Sequence, residues 1–244
     1  MYISSKDWKN YIDRLSALDK RAGDLMREWI ARHGFSDTSA LISYAYALAQ
    51  KYGEGAAALS AEMYDAIADM QVKMYPPAEA APAPSYGEVA KTVNGILKRS
   101  VNPNSIADGV SQLVKRTGAD TTLNNALRDG AEFAWVPNGD TCPFCVALAS
   151  RGWRRMSKKA LKNGHAEHIH ANCDCTYSIR FDEKSGVRGY DPQKYSDMYF
   201  GADGNTPKER INSLRRMRYE HNKDAINAQK REAYALRVEA AKEE

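Results

Sequence analysis

Long apolar runs are missing from this 244-residue sequence. No stretch of about 18 consecutive apolar residues occurs, so we expect no membrane-spanning helix. The opening residues, MYISSKDWKNYIDRL, also lack the basic and then apolar segments of a secretory signal. We therefore expect the chain to be made in a reducing cytoplasm, where cysteines bind metals more often than they form disulfides.

The sequence also lacks a large excess of charge of one sign, and it lacks nucleotide-binding motifs. Basic residues number 35 and acidic residues 31, for a net charge of +4, which is weak support for a polyanion partner. Neither a P-loop nor a GxGxxG pattern is present. Hydrophobic residues make up 43% of the chain, charged residues 27%, and the mean hydropathy is −0.61. This combination is typical of a helical, well-solvated protein.

The apolar pattern predicts a mainly helical N-terminal part. Trp8, Ile12 and Leu15 begin a stripe at helical spacing, and we predict a helical hairpin over residues 1–75. Four of the nine prolines fall between 76 and 84. Because proline lacks an amide donor and clashes with the preceding helical turn, we predict a linker over 76–85.

A second helical region is predicted over 86–134. Ser85 and Glu88 resemble a capping box at its start. The apolar spacing then predicts two helices, over 105–117 and 121–134, with Asp120 capping the second.

Residues 135–200 have a different character, with turn residues, short elements and all four cysteines of the chain. We predict a small zinc-stabilised α+β lobe here, with one strand in CTYSIRF. The sequence Thr206-Pro-Lys-Glu then opens a charged C-terminal helix over 206–244. The predicted fold class is therefore mainly α, with long helices, this small lobe and a C-terminal helix.

The cysteines fall in two groups with the spacing of a structural zinc site. Cys142 and Cys145 form a CxxC pair, and the second group follows about 25 residues later. Thiolates and imidazoles favour zinc over calcium or magnesium, and a structural site takes four such ligands. The candidates for these positions are Cys142, Cys145, His170, Cys173 and Cys175. We expect Cys175 with the CxxC pair and leave the choice between Cys173 and His170 open, with His168 as a residue that orients a ligand.

Two enzymatic functions are alternatives to a structural role for this cluster. His165-Ala-Glu167 resembles the HxE of zinc deaminases, but that family places its CxxC pair downstream of HxE, and here the pair lies upstream. A treble-clef or HNH-type nuclease could use His165 or His168 as a base, yet no motif supports a second metal. We therefore assign no catalytic residue and expect a protein that is not an enzyme.

A basic segment beside the cluster is a candidate contact with DNA. Six cations and one tryptophan lie together in SRGWRRMSKKALK, which suits phosphate contacts and stacking. The candidate residues are Arg151, Trp153, Arg154, Arg155, Lys158 and Lys159. A zinc-stabilised nucleic-acid-binding protein is therefore the other alternative, although a solvated surface would show the same charges.

The two halves DTCPFCVALASRGW and HIHANCDC together resemble the C-terminal signature of phage minor head proteins. This is the MuF-like family of head-morphogenesis proteins. Its pattern is CxxC, a short segment ending in glycine, and then HxxCxC, and it is matched at Cys142, Cys145, Gly152, His170, Cys173 and Cys175.

The resemblance implies a structural virion component, a minor capsid protein with portal and major capsid proteins as partners. It implies a place in the capsid interior near the portal, an oligomer or multi-copy assembly, and contact with packaged DNA. The cofactor expected with it is a structural Zn²⁺.

Overall fold

The computed structural model describes residues 1–72, 74–139, 141–155, 157 and 173–243. Helices dominate this part of the chain, as the sequence predicts. The helices are α1 (Ser5–His33), α2 (Thr38–Gln71), α3 (Tyr86–Leu97), α4 (Pro103–Asp129), α5 (Pro143–Ala149), α6 (Pro192–Phe200) and α7 (Pro207–Glu243). The strands are β1 (Tyr2–Ile3), β2 (Glu132–Val136), β3 (Arg154–Arg155), β4 (Thr176–Arg180) and β5 (Gly186–Val187).

The first two helices form a hairpin that packs against α4. Side chains of Ser4 and Asp37 accept hydrogen bonds from backbone amides of the first turns and so cap α1 and α2. Small residues let α2 and α4 approach closely, since a Cβ at Gly118 would lie 2.8 Å from Oγ of Ser60. The three helices thereby bury one continuous apolar core.

One sequence prediction in this region is wrong. Residues 105–117 and 121–134 are not two helices, because α4 runs without a break from Pro103 to Asp129 and residues 132–136 form strand β2. Asp120 does not cap a helix; its carboxylate lies 3.4 Å from Nε of Arg116, one turn back in α4. The helix ends instead at Gly130, whose φ of +69° fits the left-handed cap that glycine favours.

The proline-rich segment forms neither helix nor strand, and it is held against α4. The backbone of Glu79 exchanges two hydrogen bonds with the side chain of Asn125, and the amide of Ala81 donates to Thr121. Arg128 donates to the carbonyl oxygens of Pro76 and Pro77. The missing helical hydrogen bonds of this segment are thus replaced by side-chain partners from the helix beneath it.

Two small sheets complete the described part. Strand β2 lies between β3 and β4 and pairs with both in the antiparallel sense, and β1 pairs with β5 in parallel. The predicted strand in CTYSIRF is β4, and the predicted capping box at Thr206 and Glu209 opens α7. The Ser85–Glu88 box is also present.

The main apolar core extends from Ile3 to Val187 and includes three of the four cysteines as buried members. A smaller cluster joins α5, α6 and the start of α7 through Val146, Tyr199 and Leu214. The division into regions at 1–75, 76–85, 86–134, 135–200 and 206–244 stays a prediction. Among the described residues, no helix has the length and apolar character needed to cross a bilayer.

Candidate metal centre

The first cysteine pair is positioned by the start of α5. Cys142 is the N-cap residue, and its Sγ accepts a hydrogen bond from the amide of Cys145 at 3.4 Å. Pro143 occupies the first helical position, where its lack of an amide donor costs nothing and its fixed φ suits the helix. This turn directs both sulfur atoms to the same side.

The second cysteine pair is brought to the same place by the sheet. Val136, the last residue of β2, pairs with Thr176, the first residue of β4. Cys175 directly precedes Thr176, and Cys142 follows Val136 by one short loop. The antiparallel register therefore brings the two cysteine pairs, which are distant in sequence, to the same end of the β2–β4 strand pair.

The sulfur atoms meet in one cluster. The Sγ atoms of Cys142, Cys145 and Cys173 all lie within 4.8 Å of one another, and Cys145 and Cys173 are 3.1 Å apart. The thiol of Cys175 interacts with those of Cys145 and Cys173, although its Sγ lies outside this 4.8 Å group. Three of the four residues are buried, and Cys142 is partly exposed. Cys142, Cys145 and Cys173 could hold a metal ion, and the geometry brings Cys173 into the group.

The electrostatics of the cluster favour thiolate at two of its members. Hydrogen bonds from Cys145 and Cys173, together with the backbone amide of Asn138, hold the pKa of Cys175 below its ordinary value. Contacts with Cys142 and Cys145 likewise lower the pKa of Cys173. Hydrogen bonds to the surrounding sulfurs raise the pKa of Cys145. Because thiolates are the form that binds metal, the donor set fits a cation such as zinc.

A buried ion pair in the helical body supports the second cysteine pair from behind. Lys115 of α4 lies 3.1 Å from a carboxylate oxygen of Asp19 of α1, with side chains only 5% and 1% exposed. The same ammonium group donates to the carbonyl oxygen of Cys173. Burial raises the pKa of Asp19, and the charge of Lys115 opposes that effect. Helices α1 and α4 thus hold the backbone of the cysteine pair through one lysine.

A second contact fixes the residue between Cys173 and Cys175. Asp174 accepts a hydrogen bond from Ser16 at 2.8 Å, and Lys20 lies 3.4 Å from the same carboxylate. Burial acts to raise the pKa of Asp174, but Ser16 and Lys20 outweigh it and the pKa is lowered. The carboxylate is therefore held ionised against α1.

Sequence reasoning missed these supporting residues, although a signal was present. Asp19 follows Leu15 by four positions and precedes Met26 by seven, so it falls within the buried stripe of α1. Lys115 lies among the buried positions of α4. A charged residue inside an apolar stripe indicates a buried partner, because an unpaired charge there is costly.

The basic segment is only partly described. Arg151, Arg154 and Arg155 are exposed, and they border a groove of about 160 Å³ beside β2 and β4. Trp153 is half-buried, with the guanidinium of Arg180 5.0 Å from its ring centroid. Contact of these four residues with DNA stays a prediction.

Several predicted site residues lie outside the described residues. These are His165, His168 and His170 together with Lys158 and Lys159. The roles predicted for His168 and His170 at the metal, and for the two lysines at DNA, therefore stay predictions.

Comparison with family models gives a match to residues 2–202, by the model described as "VG15 protein". Those residues include both cysteine pairs and every element from β1 to α6, whereas α7 begins at Pro207, beyond the match. Comparisons with curated proteins and with solved structures gave no match.

Proposed function

The chain belongs to the VG15 protein family, which indicates a phage-encoded protein, and from this premise we propose that it is a structural component of the virion. Its role is that of a minor capsid protein in head morphogenesis. It lies in the capsid interior near the portal and contacts portal or major capsid proteins. Several copies act in one particle.

The observation that carries the proposal is the meeting of the two cysteine pairs. The cysteines of CxxC and CxC, which give the resemblance to minor head proteins, come together in space, and the closest sulfurs, those of Cys145 and Cys173, are 3.1 Å apart. The spacing that carries the resemblance therefore corresponds to a physical site. That correspondence supports a zinc-stabilised lobe of the kind that the resemblance implies.

The metal in the proposal is a structural Zn²⁺ held by Cys142, Cys145, Cys173 and Cys175. Four thiolates close the tetrahedral coordination of zinc, so no open position is left for a substrate or an activated water. When bound, zinc would supply a crosslink worth about 10–16 kcal/mol, as in small zinc-binding domains. A closed donor set supports a structural and not a catalytic role for the metal.

Analysis of intact virions tests the structural role. In purified particles of the encoding phage, quantitative mass spectrometry should detect this chain at far fewer copies than the major capsid protein. Protease added to intact particles should leave it undigested, because the capsid wall covers it. Absence of the chain from particles, or its complete digestion at the surface, would contradict the proposal.

Metal analysis and a cleavage assay test the site. Native mass spectrometry of the purified chain should show about one zinc per chain, lost in the Cys175→Ser variant. Incubation of duplex DNA with the zinc-loaded protein and added Mg²⁺ or Mn²⁺ should leave the DNA intact. A chain without zinc would overturn the metal assignment, and cleavage of the DNA would overturn the non-enzymatic role.

A further inference from the structure

Helix α7 has one strongly basic face, which its sequence alone does not make obvious. The helix is continuous from Pro207 to Glu243. At 3.6 residues per turn, Lys208, Arg215, Lys223 and Lys230 fall on one side, because they are seven or eight positions apart. We call this side the basic stripe; its further members are Arg216, Tyr219 and Tyr234.

The basic stripe faces solvent. All seven residues are exposed, with Tyr219 at 41% and Tyr234 at 71%. The helix is attached to the rest of the protein by its other side, since Leu214, which packs with Val146 and Tyr199, is 7% exposed. By helical geometry Leu214 points about 150° away from the centre of the stripe. The packing of α7 therefore turns the stripe outward.

Acidic residues of α7 do not interrupt the stripe between 207 and 234. Glu209 borders it, but its carboxylate accepts hydrogen bonds from the amides of Asn205 and Thr206 and so caps the helix. Glu220 borders the same side and lies 3.3 Å from Lys223, an exposed pair. Exposed pairs of this kind are worth about 0–1 kcal/mol, so a phosphate can compete for the lysine.

The dimensions of the stripe fit duplex DNA. From Lys208 to Lys230 the helix rises about 33 Å at 1.5 Å per residue, close to the 34–36 Å of one B-DNA turn. Lys208, Arg215, Lys223 and Lys230 follow one another at intervals of about 10–12 Å along the helix, and DNA carries one phosphate charge per roughly 1.7 Å of its axis. Tyr219 lies between Arg216 and Lys223, and Tyr234 lies one turn beyond Lys230; both are exposed and can donate hydrogen bonds to phosphate oxygens.

We infer that the basic stripe of α7 is a surface that binds duplex DNA through its phosphates, without reading the base sequence. DNA binding is a property separate from the proposed virion role. Binding is measured on the purified chain, whereas incorporation is measured on particles. Either result can fail while the other holds. The surface also differs from the predicted contact at Arg151, Arg154 and Arg155.

The test uses the full-length zinc-loaded protein and a fluorescent 30-base-pair duplex of mixed sequence, with binding followed by anisotropy at several salt concentrations. In one variant Arg215, Arg216, Lys223 and Lys230 are changed to Gln, which preserves helix propensity. Binding at 100 mM salt should weaken at least about tenfold, and the slope of log affinity against log salt should fall by about 3–4. Circular dichroism and zinc content should match the unaltered chain.

Two controls decide whether the stripe itself is responsible. The matched variant changes four exposed cations elsewhere, Lys51, Lys91, Lys98 and Arg99, to Gln and alters the net charge equally. It should keep most of the affinity. A third variant, Arg151→Gln with Arg154→Gln and Arg155→Gln, probes the other basic segment.

Three outcomes would overturn the inference. The first is that the unaltered chain does not bind the duplex. Binding of the stripe to an acidic protein surface would not rescue the inference. The second is an equal loss in the stripe variant and its matched control, since net charge alone would then explain binding. The third is full affinity in the stripe variant together with loss in the Arg151, Arg154 and Arg155 variant.

Discussion

At the scale of single residues, Lys115 connects the helical body to the candidate metal centre. Its ammonium group is buried, pairs with Asp19 and donates to the carbonyl oxygen of Cys173. A buried pair of this kind adds little net stability compared with apolar residues of the same size. Removal of one partner is costly, however, because the other charge is left uncompensated.

We predict that Lys115→Met lowers the free energy of unfolding by about 3–5 kcal/mol, because Asp19 is then buried without its partner. Urea unfolding of the zinc-loaded chain measures the change. Lys20→Met is the matched control, because it removes the lysine beside Asp174. The side chain of Lys20 is 62% exposed, so this substitution should lower the free energy of unfolding by less than about 1 kcal/mol. Equal effects of the two substitutions would show that the buried pair has no special role.

At the scale of elements, the proline-rich segment is organised by α4. A backbone outside helices and sheets makes no regular hydrogen bonds, so each of its buried N–H and C=O groups needs another partner, such as a side chain. Asn125 supplies two of them to Glu79, and Thr121 supplies one to Ala81. The composition of 76–85 indicates a linker, whereas these contacts show a segment docked along a helix.

We predict that Asn125→Ala destabilises the chain by about 1–3 kcal/mol, because the amide and carbonyl groups of Glu79 lose their partners. Limited proteolysis should then cleave within 76–85 faster than in the unaltered chain. Asn124→Ala, at the adjacent and exposed position of α4, should change stability by less than about 0.5 kcal/mol. Similar cleavage rates in both variants would contradict the docking role of Asn125.

At the scale of the whole molecule, the candidate metal centre and the helical body share one core. Cys145, Cys173 and Cys175 belong to the same buried cluster as residues of α1, α2 and α4. A metal bound at the cysteines would therefore stabilise the whole chain as well as the lobe at 135–200. Coupling of this kind follows from continuous packing, because neighbouring buried groups unfold together.

We predict that removal of zinc with a chelator lowers the midpoint of thermal unfolding by at least about 10 °C, in a single transition, because the metal contributes several kcal/mol. Differential scanning calorimetry with and without the chelator gives the comparison. Cys142→Ser and Cys175→Ser should each reproduce the shift without chelator. Two separate transitions would instead support an independent lobe.

How much of the fold follows from the sequence depends on the range of the interactions. The capping boxes at Ser85 and Thr206 and the strand in CTYSIRF were predicted correctly, since each depends on neighbours a few residues away. The break predicted at Asp120 was wrong, because a capping residue inside a helix can pair with the preceding turn instead. The local sequence pattern cannot decide whether Asp120 caps a following helix or pairs with Arg116 in the preceding turn.

The sequence by itself determined which residues are candidates for the metal centre, and it determined the helical character of the chain. Spacing within each cysteine pair sets which sulfurs share a turn, and apolar periodicity sets which faces are buried. Only the tertiary structure decided that Cys173 belongs to the sulfur cluster, that Lys115 and Asp19 support it, and that the basic stripe faces outward. Those outcomes depend on strand register and helix packing, which join residues far apart in the chain.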